Sequence, residues 1–257
     1  MLLAIDIGNT NITLGLYREA EMVHAWRLAT THDRMPDEYG LQLLGLLEHA
    51  GCTQEDLGAA ALASVVPPLT GRMLEACRHY LKLDPLVVDA GVKTGLKIRY
   101  EDPKFALGAD RVVDAVAVLQ LYGGPACVVD FGTATTFDAI SGDGEYLGGA
   151  IAPGIGIAAD ALYLRAAKLP RVEIGRPPNV VGRNTVHAMQ SGLLFGYVSL
   201  VEGMVVRFRQ ELGKAMKVIG TGGLAGLIAQ ETDAIEILAP WLTLDGLRMV
   251  WEMNRSE

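Results

Sequence analysis

Cysteine is scarce in this sequence, and no run of lysine and arginine interrupts it. There are three cysteines, Cys52, Cys77 and Cys127, with no C-x-x-C pair among them. An odd, scattered set makes neither a disulfide framework nor a zinc site, so a reducing compartment is expected and the chain reads as cytoplasmic. Lys and Arg number 22 against 30 Asp and Glu, a formal charge of −8. Acidity without a basic stretch argues against nucleic acid or an anionic membrane as partner. Five phenylalanines and three tryptophans form no stacking ladder for single strands. The histidines at 24, 32, 49, 79 and 187 fall at no metal-ligand spacing. In MLLAIDIGNT, Asp6 comes too early for a signal-peptide apolar region, and no basic residue precedes it. No unbroken apolar run reaches the ~18–20 residues that span a bilayer. Both common nucleotide fingerprints are missing: there is no G-x-x-x-x-G-K-[ST], and no G-x-G-x-x-G stands between a strand and a helix.

What is present is a chain of 257 residues, half of them apolar, with 30 glycines in short clusters. Clustered glycines mark sharp turns or close approach of backbone to a ligand. LLAIDIGNTNITLGLY followed by EMVHAWRLAT reads as strand, glycine turn, strand, turn, strand. Halfway along, ACVVDFGTATTFDAISGDGEYLGGAIAPG repeats that plan, with Gly142-Asp143-Gly144 as a hairpin signal. Asp6-x-Gly8-Asn9 aligns with Asp130-x-Gly132-Thr133, which predicts an internal duplication. Helical patterns cover 36–50, 69–81, 109–121 and 186–212, and KVIGTGGLAGLIAQ reads as strand, turn, helix. The expected class is α/β: two similar lobes, each a mixed sheet flanked by helices. The turn cluster Tyr122-Gly123-Gly124-Pro125 predicts a boundary there, with lobes at 1–122 and 123–257.

Three glycine turns follow buried strands, at Asp6–Thr10, Asp130–Ala134 and Gly220–Leu224. Such turns let backbone N–H groups converge on phosphate oxygens, and the third also opens a helix. Aspartates at the strand ends suit a hydrated metal accompanying the phosphates. The competing reading of one D-x-G turn is ordinary hairpin chemistry. Asp110-Arg111 reads either as a substrate-facing pair or as an ion pair at a helix N-terminus. Tyr100 is a surface anchor or a pocket wall. Thr185 lines a substrate pocket or caps the following helix.

Taken together, D-I-G-N-T-N at 6–11, G-A-D-R at 108–111, D-F-G-T-A-T-T at 130–136, G-G-x-I-x-P-G at 148–154, T-G-G-L at 221–224 and the tail LTLDGLRMVWEMN resemble type III pantothenate kinases. These belong to the sugar kinase, heat-shock ATPase and actin superfamily, whose ribonuclease H-like lobes bind ATP between them. The resemblance implies transfer of the ATP γ-phosphoryl group to the hydroxyl of pantothenate, opening coenzyme A synthesis. It implies that Asp6, Ile7, Gly8, Asn9, Thr10, Asn11, Ile12 and Thr13 hold ATP, with Asp6 near Mg²⁺, and that Thr133 also contacts ATP. Tyr100, Gly108, Ala109, Asp110, Arg111 and Thr185 would line the pantothenate pocket, with Asp110 as the base. Asp130 would bind a monovalent cation, K⁺ or NH₄⁺. Asp6 and Asp130 would face one another across the nucleotide. The resemblance also implies a homodimer. The rival readings are a superfamily kinase or phosphatase with another small substrate, and a non-catalytic relative of the same fold.

Overall fold

A computed structural model describes residues 1–99 and 107–255, so Tyr100 lies outside the described residues. The chain divides into two compact units. The first takes Met1–Gly95, then α3 (Ala109–Leu121) as far as Ala117, then the C-terminal residues from Thr243. The second begins at Leu96 and continues over Val118–Leu242.

In the first unit, β1 (Leu2–Ile7) is buried at every position except Asp6, because a run of apolar residues with no alternation can only be a central strand. It pairs antiparallel with β2 (Asn11–Arg18), which pairs with β3 (Glu21–Ala29). On its other edge it runs parallel to β4 (Ala59–Ser64), and β5 (Leu86–Val87) follows. The order is β3-β2-β1-β4-β5. Strict alternation along β2 sends Ile12, Leu14 and Leu16 to one face. There they join Leu43 and Leu47 of α1 (Pro36–His49) and Leu69 and Met73 of α2 (Pro67–Ala76) in one core.

The opposite face meets α7 (Leu242–Asn254), and glycine makes the approach possible. A Cβ on Gly15 would stand 3.0 Å from Leu244 Cδ1, and one on Gly246 would stand 2.1 Å from the Val113 carbonyl of α3. Tyr17 Oη donates to Asp245 Oδ1 at 2.9 Å, and the Arg248 guanidinium lies over the Tyr17 ring. Burial pushes both the Tyr17 hydroxyl and the Asp245 carboxyl up from their ordinary pKa values.

The second unit repeats the frame. Here β7 (Ala126–Phe131) pairs antiparallel with β8 (Ala134–Ile140), which pairs with β9 (Glu145–Pro153). On its other edge β7 runs parallel to β10 (Lys217–Thr221), and β11 (Ile237–Leu238) follows. The order β11-β10-β7-β8-β9 mirrors the first sheet, and β6 (Lys97–Ile98) adds a strand at the β9 edge. Even the irregularities repeat. A register shift falls between Leu16 and Tyr17 in one unit and between Ala139 and Ile140 in the other, at the same offset from the paired Thr13 and Thr136. The duplication read from two D-x-G turns therefore extends to whole sheets.

The second core gathers Val129, Phe131 and Phe137 against Leu194, Val198 and Val201 of α5 (Thr185–Leu212). Two further helices, α4 (Ile155–Arg165) and α6 (Ala225–Ala229), belong to this unit. Sequence inspection found no unbroken membrane-length run. Once folded, α5 is long and apolar enough to cross a bilayer by length and composition. Its buried stripe packs on the sheet as a core helix does.

Candidate functional site

At the end of the first sheet, β1 carries Asp6 to its half-exposed C-terminal tip and then turns. Gly8 N–H donates to the Asn11 carbonyl at 3.0 Å, and a Cβ on Gly8 would stand 3.1 Å from that oxygen. Asn9, Thr10 and Asn11 are exposed, while Thr13 is half-buried. Ile7 and Ile12 are wholly buried, so of the nine residues expected at ATP these two, like Gly8, can offer backbone only. Thr30, unremarked in the sequence, straps the turn from the end of β3. Its Oγ1 donates to the Gly8 carbonyl at 2.6 Å, and its N–H donates to the Thr10 carbonyl at 2.9 Å. The signal that could have found it is its position as the polar residue closing β3.

The G-A-D-R segment reaches the same strand end. Val65 N–H donates to the Ile7 carbonyl at 3.0 Å, and a Cβ on Gly108 would meet Val65 Cγ1 at 3.5 Å. The Gly108 carbonyl accepts from Val112 N–H, which opens α3. Asp110 sits in the first helical turn, where its Oδ1 accepts from Arg111 N–H at 2.8 Å. A carboxylate there answers the unpaired N–H groups of the helix start. The same Oδ1 would lie 2.4 Å from a Gly108 Cβ, so a side chain at 108 would displace the carboxylate. Asp6 and Asp110, distant in sequence, thus belong to one end of one sheet.

In the second unit three separate motifs converge. Asp130 lies in register with Thr221 of β10 and Thr136 of β8. A Cβ on Gly222, whose φ is +89°, would stand 2.3 Å from Asp130 Oδ1. One on Gly132 would stand 3.3 Å from Oδ2, so two glycines cradle the carboxylate. The Thr133 carbonyl accepts from Gly154 N–H at 3.1 Å, and a Gly154 Cβ would clash with that oxygen at 2.2 Å. Asp138, which sequence reading did not single out, is buried on the face shared by Asp130 and Thr136. It accepts from Tyr146 Oη at 2.6 Å and from Thr136 Oγ1 at 3.2 Å. The alternation of faces along β8 gives no sign of it, because Asp138 sits mid-strand where apolar residues are expected.

Thr185 is the first residue of α5, and Asn184 is the cap, its Oδ1 accepting from His187 N–H at 2.8 Å. The capping role considered for Thr185 thus falls to its neighbour. Thr185 lines a cavity of about 790 Å³ with Ala158, Leu162, Arg165, Met189 and Tyr197.

Comparison with known proteins follows the same lines. The type III pantothenate kinase family profile matches residues 2–207. A type III pantothenate kinase from Moorella thermoacetica is 55% identical over 254 residues, covering 99% of this chain and 100% of that one. Among solved structures, a Baf-family protein from Campylobacter jejuni superposes with TM-score 0.60 at 20% identity, over 98% of each chain. An inorganic polyphosphate/ATP-glucomannokinase from Arthrobacter does so with TM-score 0.50 at 12% identity, over 99% of each. Both structural likenesses speak for the fold.

Proposed function

The chain belongs to the type III pantothenate kinase family, and on that premise we propose how its residues transfer the γ-phosphoryl group of ATP to the hydroxyl of pantothenate. The product is 4′-phosphopantothenate, and the step opens coenzyme A biosynthesis. Phosphoryl transfer asks little covalent chemistry of a protein and much positioning and charge neutralisation. Backbone N–H groups and hydroxyls between Gly8 and Thr13 hold the phosphates, and Thr133 is assigned to ATP as well. Asp110 accepts the proton of the pantothenate hydroxyl. Arg111 offers a planar set of donors to the carboxylate or amide oxygens of pantothenate. Gly108, Ala109, Tyr100 and Thr185 complete the substrate pocket.

One observation carries this reading. The proposed base and the proposed Mg²⁺ carboxylate meet one strand end through the Gly108–Val65–Ile7 contacts, so acceptor and phosphate chemistry share an address. Among the described residues no three-carboxylate cage for a metal occurs. Mg²⁺ keeps its waters and is held by one or two carboxylates together with phosphate oxygens, and we assign it to Asp6. The ion neutralises charge on the phosphates when bound. We assign K⁺ or NH₄⁺ to Asp130, whose carboxylate two glycines approach closely.

We place the protein in the cytoplasm as a homodimer. Leu162, Tyr163 and Leu164 of α4 are exposed apolar residues suited to a second copy. Along α5, Met189, Leu193, Leu194, Val198, Val201 and Val205 are buried within the chain, whereas Val206 is exposed.

The deciding experiment couples ADP release to pantothenate in wild type and Asp110→Asn, with a panel of other small alcohols beside it. Pantothenate-dependent ADP release should fall by about 10²–10⁴-fold in the variant, while nucleotide affinity stays within a few-fold. Near-wild-type turnover of Asp110→Asn defeats the base assignment.

A further inference from the structure

The register of the first sheet sets a cation beside the phosphate turn. Asp6 of β1 pairs with Thr13 of β2, and Thr13 pairs with Arg27 of β3, with no bulge between them and the turn. Directly opposed residues in an antiparallel sheet project to the same face, so Asp6, Thr13 and Arg27 form one lateral row. Arg27 is exposed. It stands three residues before Thr30, whose two hydrogen bonds fasten the end of β3 to the Gly8–Thr10 turn. The strand that bears the guanidinium is therefore held rigidly against the turn that is to hold the phosphates.

Charge asks for such a group. The segments 6–13 and 108–111 bring two carboxylates, Asp6 and Asp110, and a single cation, Arg111, which adjoins the proposed base. The turn itself contains no lysine or arginine. A triphosphate brought against two carboxylates needs positive charge beyond what backbone N–H groups supply, and a guanidinium delivers it with fork geometry matched to phosphate oxygens. The duplicate unit sharpens the point. Its corresponding row is Asp130, Thr136 and Ile151, with an exposed isoleucine where the first unit has arginine. A residue required merely by the frame would not differ in this way between two copies of it.

We infer that Arg27 is a phosphate-binding residue of the first unit, contacting the ATP triphosphate from β3 across the Asp6–Thr13 row. This rests on the kinase reading above and adds to it a residue that no motif in the chain contains. In Arg27→Met, kcat/KM for ATP should fall roughly a hundredfold while KM for pantothenate stays within about threefold; Arg27→Lys should regain part of the loss, since it keeps the charge without the fork. Binding of a fluorescent ATP analogue should weaken in parallel, and binding of adenosine, which has no phosphate, should not change. Arg18→Met, removing a cation at the far end of the same sheet, is the control and should behave as wild type. If wild type binds the ATP analogue but does not turn over pantothenate, the kinase reading fails while Arg27 is still decided by the analogue and adenosine affinities. Unchanged triphosphate affinity in Arg27→Met, equal losses for ATP and adenosine, or no nucleotide binding by wild type overturns the assignment.

Discussion

Replacing Gly222 by alanine tests whether the position of the Asp130 carboxylate matters. The new Cβ would stand 2.3 Å from Asp130 Oδ1 and 2.7 Å from the Phe131 backbone, at a φ of +89°. Left-handed backbone costs an alanine about 1–2 kcal/mol, a loss of stability that a thermal melt registers as a few degrees. The clash is the more informative part. The Phe131 backbone belongs to a central strand and cannot give way, so the carboxylate must retreat by about 1 Å to recover ordinary contact, and a misplacement of that size can cost 10²-fold in rate. Steady-state turnover of pantothenate at saturating ATP, titrated with KCl and then NaCl, separates the two effects. Turnover should drop by one to two orders of magnitude and the monovalent-cation dependence should shift to higher concentration, with the fold intact below its melting temperature. If Gly222→Ala melts lower yet keeps its turnover and its potassium response, Asp130 does not act through the position of its carboxylate.

Two more outcomes follow from the packing. Gly246→Ala drives a Cβ to 2.1 Å from the Val113 carbonyl where α7 crosses α3, and should destabilise by about 1–3 kcal/mol in urea denaturation; an unchanged midpoint would show that the crossing can relax freely. Cys77 is buried and its thiol is pushed up to about 12 by burial. At pH 8 its thiolate fraction is then on the order of 10⁻⁴, rising tenfold with each pH unit, so in the native protein Cys52 should be alkylated long before Cys77 or Cys127, as peptide mapping would reveal.

Much of the fold could be read because its signals are local. Asp-x-Gly after an apolar run marks the end of a central strand, and two such runs announced two sheets. The site was legible in pieces and opaque as a whole. Nothing in the spacing of Asp6, Val65 and Gly108 says that they share a strand end, because that depends on β4 lying parallel to β1 and on α3 starting beside it. The glycines at 15 and 246 carry no turn signal either; they admit α7 against residues far away in the chain, Gly15 against Leu244 and Gly246 against Val113. Thr30 and Asp138 escaped for a related reason. One closes a strand and the other lies within one, and their partners are set by pairing register, which the composition of a single strand does not encode.

Register also explains how two copies of one frame come to differ in chemistry. In the first unit the position after Thr13 on the shared face is Gly15, which opens space for Leu244. In the second, the position after Thr136 is Asp138, a buried carboxylate that accepts from Tyr146 and Thr136. Across each sheet the third member of the aspartate row is Arg27 in one copy and Ile151 in the other. The two copies share their glycine turns as well as their strand order. The residues that differ lie on the strands beside them, at positions no turn motif samples. On the inference drawn for Arg27, the division is between a first unit whose aspartate row carries a guanidinium and a second whose row is backed by the buried Asp138, Tyr146 and Thr136. A chain with the same turns but with Ile at 27 and Arg at 151 would keep both sheets and lose that division.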